Sequence, residues 1–113
     1  MTSPGTAHGR FQRAIQRRNL FLAELAIREL GTLSLIDALA YLELLAELGS
    51  AKLERAAIRW HGRLETEAAT LTLGESQLAL AALASLCAGE RDALKIVRGV
   101  LRRAKPTLLP RVS

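Results

Sequence analysis

The chain has 113 residues, half of them apolar, which suits one domain with one hydrophobic core. A single cysteine, Cys87, excludes an internal disulfide, and the longest uncharged run, Ser76 to Gly89, is short of the about 20 apolar residues a bilayer crossing needs. The net charge of +5 gathers at the ends: Arg10, Arg13, Arg17 and Arg18 near the start, Arg102, Arg103, Lys105 and Arg111 near the finish, with all eleven acids between them.

Leu, Ala, Glu and Arg dominate, and these are strong helix formers. β-branched residues are sparse, so strands have little to build with. The expected fold is therefore all-α, a compact bundle of five to six helices.

Residues 1–9 carry Pro4, Gly5 and Gly9 and no apolar stretch, and are expected to form a flexible arm without a secretory signal. A single helical domain is expected over 10–105. Phe11, Ala14 and Ile15 share one helical face, with Arg10, Arg13 and Arg17 on another. Asn19 suits an N-cap, which gives a second helix from Leu20 to Leu30 ending at Gly31. An unbroken helix over 10–30 stays open as the alternative.

Ser34 precedes Asp37 by three residues, a capping-box spacing with Asp in place of Glu. The helix it opens, Leu35 to Leu48, is apolar around most of its circumference and is expected to be central and buried. Gly49 ends it. From Ala51 to about Ala68, Leu53, Ala56, Ala57, Trp60 and Leu64 follow an amphipathic pattern, with Lys52, Arg55, Arg59 and Arg63 beside it. Trp60 reads as a core anchor and His61 as the partner of Glu65 one turn on.

Thr72 and Glu75 offer a second capping box, opening another Leu/Ala helix that Gly89 ends. Within it Cys87 reads as a small buried hydrophobe. The last helix runs from about Glu90 to Ala104, and Pro106 and Pro110 leave an extended tail over 106–113. Thr32–Asp37 and Thr70–Glu75 match at a spacing of 38 residues, and in each copy a buried helix leads into a more basic one. That gives the bundle an αα-hairpin pseudo-repeat.

Several of these segments resemble a group of small all-helical proteins of high-GC actinobacteria that have no assigned activity. They are Asn19–Ala26, Leu33–Leu39, Glu54–Glu65 and Leu71–Leu83. The resemblance implies an all-α fold and a cytoplasmic bacterial protein, and it brings no site residues.

No Gly-rich phosphate loop, metal-ligand cluster or nucleophile–base spacing is present in the sequence. The expectation is a non-enzymatic protein without cofactor, membrane or small-molecule substrate. One candidate site stands out. Arg91, Lys95, Arg98 and Arg102 recur at i, i+4, i+7 and i+11, which at about 100° per residue puts them in one narrow sector, opposite Leu94, Val97, Val100 and Leu101. Arg10, Arg13 and Arg17 form a shorter row of the same kind. Such rows suit a phosphate backbone or an acidic partner. The two Leu-rich helices suggest more apolar surface than a monomer covers. The first expectation is thus a protein–protein interaction or scaffold module that docks a protein partner or forms a homo-oligomer. The alternative is sequence-nonspecific nucleic-acid binding through the basic first and last helices.

Overall fold

The computed structural model describes residues 5–104, which form six α-helices with no strand among them. They are α1 (Ala7–Gln16), α2 (Leu20–Leu30), α3 (Leu35–Glu47), α4 (Leu53–Glu67), α5 (Leu73–Cys87) and α6 (Ala93–Ala104). The expected all-α bundle is what forms. The tail assigned to 106–113 and the first four residues of the arm lie outside the described residues.

The start of the domain differs from expectation. α1 begins at Ala7, three residues before Arg10, because Thr6 Oγ1 accepts the Gly9 amide at 3.0 Å and caps the helix early. Gly9, assigned to the arm, is buried.

Residues 10–30 form two helices, the break lying at Arg17–Asn19. The Arg18 amide donates to Ile15 O at 3.1 Å and the Asn19 amide to Ala14 O at 2.9 Å, a Schellman closure. Arg18 takes a positive φ of 58° to make it, where Gly49 and Gly89 make the same closures after α3 and α5. Asn19 then caps α2 through its side chain, which accepts the Leu22 amide.

The N-caps of α3 and α5 follow the sequence, while α4 begins at Leu53, two residues after the expected Ala51, with no side-chain cap. Ser34 Oγ accepts the Asp37 amide at 3.1 Å, but Asp37 turns away to meet His8 Nε2 at 2.9 Å. Thr72 and Glu75 complete a reciprocal capping box. α6 begins at Ala93, later than the expected Glu90, because Glu90–Asp92 form a tight turn whose carbonyls accept from Ala93, Leu94 and Lys95.

α1 packs against α2 and α5 against α6 most extensively, α4 packs against both α3 and α5, and α1 and α2 each touch α3 more lightly. The result is a plate of 41 × 39 × 19 Å, about two helix diameters thick. The core has two lobes. The larger joins α3, α4, α5 and α6 around Leu42, Leu45, Trp60, Leu64, Leu83 and Val97. The smaller joins α1 and α2 to α3 around Phe11, Ala14, Ala23, Ala26 and Leu44. Leu20, Ala38 and Tyr41 border both lobes.

α3 therefore has apolar neighbours on two sides, and this is why it is apolar around most of its circumference. α5 does not. It buries only the flank with Ser76, Ala79, Ala82, Leu83 and Leu86, so the expectation that it is buried like α3 is corrected.

Candidate protein-binding faces

Trp60 sits where the sequence places it, 2 % exposed, with its indole Nε1 donating to Leu35 O at 2.9 Å. It locks α4 to the first turn of α3.

The C-terminal basic row is divided by the structure. Arg91 lies in the turn before α6, while Lys95, Arg98 and Arg102 lie on the helix itself. All four are exposed, and Leu94, Val97, Val100 and Leu101 face the core as expected. Two of the four are engaged by acids of α3: Arg91 with Glu47 at 3.1 Å and Arg98 with Glu43 at 2.5 Å. Among the described residues Lys95 and Arg102 have no ion-pair partner. Arg102 and Arg98 border a 470 Å³ groove between α3 and α6 with Ile36, Leu39, Ala40 and Leu101 as its apolar wall.

Glu47 also holds Arg18, Nε to Oε1, at 2.6 Å. One carboxylate at the end of α3 thus ties the α1–α2 corner and the α5–α6 turn to the same point. Local spacing gives no sign of this, since Arg18, Glu47 and Arg91 are far apart in the sequence. The charges of α3 are few, three acids in thirteen residues, and each meets a basic side chain from another part of the chain: Asp37 meets His8, Glu43 meets Arg98, and Glu47 meets Arg18 and Arg91.

The N-terminal row lines a second groove. Arg10 and Arg13 of α1 and its C-cap residue Arg17 face Leu22, Leu25 and Glu29 of α2 across a floor of Ala14 and Ala26, enclosing about 400 Å³. Arg10 pairs with Glu29 and also donates to Gly5 O. Phe21, Leu22 and Leu25 of α2 are 69, 44 and 40 % exposed. This face was not singled out from the sequence. The signal for it was there: α2 has more large apolar residues than one buried flank can use.

The outer half of α5 is the other open face. Leu73, Leu78 and Leu80 are exposed, together with Gly74, Gln77, Ala81, Ala84 and Cys87. None of these residues is charged. The expectation of a buried Cys87 is corrected: the last turn of α5 turns its side chain outward. Partial desolvation, then the nearby Glu54 carboxylate, push the thiol up, away from the thiolate form.

His61 finds its main partner across the helix interface. Its Nε2 lies 3.0 Å from Ser76 O and 3.1 Å from Ser76 Oγ, while the expected Glu65 contact is a loose 4.0 Å. Ser76 Oγ donates to Glu65 Oε2 at 2.7 Å. A carbonyl only accepts, so Nε2 carries a proton and is not placed to take one from Ser76. The three side chains satisfy one another and clamp α4 to α5.

Glu24 makes a third polar knot. Lys52 Nζ reaches both carboxylate oxygens at 2.9 and 3.0 Å, and Tyr41 OH donates at 2.8 Å. Lys52 above all holds the Glu24 carboxyl below its ordinary pKa. Burial first, and the Glu24 hydrogen bond second, push the Tyr41 phenol far above its ordinary value.

Among the described residues no three His, Cys, Asp or Glu side chains gather as a metal site requires, and no helix is long and apolar enough to cross a membrane. No family model matches the chain, and no curated protein or solved structure matches it.

Proposed function

We propose that the protein is a non-enzymatic helical interaction module that pairs with a second copy of itself through the outer face of α5. The observation carrying this reading is the half-circumference of a fifteen-residue helix that is exposed, uncharged and, apart from Gln77, without a strongly polar side chain. Interface centres are depleted of charged residues, and exposed apolar patches mark association surfaces. An uncharged face meets its own copy about a two-fold axis without repulsion, despite the net charge of +5. Small residues, Ala81 and Ala84, between Leu73, Leu78 and Leu80 let two such helices approach closely.

Light scattering over a range of concentrations tests this. A dimer is expected, and Leu80→Glu, an exposed position, is expected to give a folded monomer with unchanged circular dichroism. A wild-type chain that stays monomeric at millimolar concentration overturns the reading.

The alternative, nonspecific nucleic-acid binding through the α1 and α6 rows, draws support from Lys95 and Arg102, which have no ion-pair partner among the described residues. It is the weaker reading because Glu47 and Glu43 already neutralise Arg91 and Arg98.

A further inference from the structure

We propose that the groove between α1 and α2 is a docking site for an amphipathic, acidic helix of a partner protein. The site is distinct from the α5 face and does not depend on pairing there.

The groove has two unlike walls. One is the row Arg10, Arg13 and Arg17, which at about 1.5 Å rise per residue extends about 10 Å along α1 and its C-cap. The other is Leu22 and Leu25, with Phe21 standing beyond them, 69 % exposed. Ala14 and Ala26 form the floor, each 2 % exposed, and their small side chains keep the channel deep enough to admit a helix ridge. About 400 Å³ of open space holds apolar side chains of a docked segment.

Charge selects the occupant. Among the described residues the groove lining holds three guanidinium groups and one carboxylate, Glu29, which Arg10 engages. Arg17 has no ion-pair partner among the described residues. Carboxylates spaced i, i+3 and i+7 on a partner helix match the spacing of the arginine row, and leucine-type side chains on its adjoining flank meet Leu22 and Leu25. This is helix-in-groove recognition, where burial of the apolar ridge supplies affinity and the charged rim supplies register and on-rate. A lipid surface fits less well, because the apolar side chains line a concave channel instead of a protruding ridge. A second copy of this chain fits less well, because none of its helices carries carboxylates at that spacing beside an exposed apolar flank.

The test uses the full-length protein and a displayed library of randomised helical 18-mers. Selected sequences are expected to be enriched in Asp or Glu beside an i, i+4 apolar flank. A labelled peptide from that selection is expected to lose at least tenfold in affinity to Arg17→Glu and to Leu25→Glu. Exchange for Lys of the one acid that faces position 17 is expected to restore affinity for Arg17→Glu. Both altered residues are exposed, Arg17 at the C-cap of α1 and Leu25 on α2, and circular dichroism checks that the variants fold. Selected peptides without acidic enrichment, no selection at all, or binding unchanged by both variants overturns the proposal. So does cosedimentation with anionic phosphatidylglycerol vesicles that the same variants abolish while no peptide binds.

Discussion

The indole Nε1 of Trp60 donates a hydrogen bond to the backbone carbonyl of Leu35, 2.9 Å away and shut off from water. Apolar packing and a satisfied buried donor therefore fall on one side chain, at the junction of α3 and α4. Trp60→Phe keeps most of the ring but removes the donor, and is expected to cost about 1–3 kcal/mol. Trp60→Ala adds a cavity and is expected to cost about 3–5 kcal/mol. Urea denaturation of both variants gives the order. Equal, small losses show that the residue is not the anchor described.

The Glu24 knot predicts a dependence on pH at both ends of the scale. The folded-state pKa of Glu24 is depressed, so its stabilisation is present above the ordinary carboxylate range and is lost as pH falls through the lowered value. Glu24→Gln is expected to flatten the acid limb of the denaturation midpoint against pH. For Tyr41 the sign reverses. Its pKa is raised from 10.0, so its stabilisation is complete below that value and is lost as pH rises beyond it. Tyr41 is the only tyrosine, so its ionisation is read directly in near-ultraviolet absorbance. It is expected to resist ionisation at pH 10.0 in the native protein and to ionise on unfolding.

Arg18 isolates the strain of one backbone position. Arg18→Gly and Arg18→Ala both remove the ion pair with Glu47, and only alanine retains a side chain at a φ of 58°. The glycine variant is expected to be more stable than the alanine variant by about 1 kcal/mol. Thermal unfolding of the pair measures it. Identical midpoints mean that the turn adapts without strain.

The basic rows make a prediction about salt. If nucleic acid is the partner, binding of labelled DNA or RNA falls steeply from low to moderate salt, and Lys95→Ala with Arg102→Ala removes most of it. If α3 has neutralised the α6 row, as the Glu43 and Glu47 pairs indicate, no shift of the labelled strand is expected even at low salt. A gel-shift series separates the two.

Much of the fold was legible because it follows from local rules. Asn19, Ser34, Thr72, Gly49 and Gly89 mark helix ends where the caps form, since a cap needs only its own few residues. Trp60 and Leu64 fall inside because period-3.6 spacing alone puts them on one flank. α5 marks where that reasoning stops. Its residues are apolar on every side, so spacing gives no direction, and only its neighbours determine that Leu83 is buried while Leu80 meets water.

By itself the sequence determined an all-α chain, its helix ends and the buried flanks of its amphipathic helices. These depend on backbone hydrogen bonds and side-chain periodicity over a few turns. Only the tertiary structure decided that Glu47 joins Arg18 to Arg91, that Arg10, Arg13 and Arg17 face Leu22 and Leu25 across a groove, and that one Leu/Ala helix is buried while the other stands open. The Glu47 pairs join residues far apart in the chain, brought together by the packing of α3 between two lobes, and the groove follows from the way α1 lies on α2.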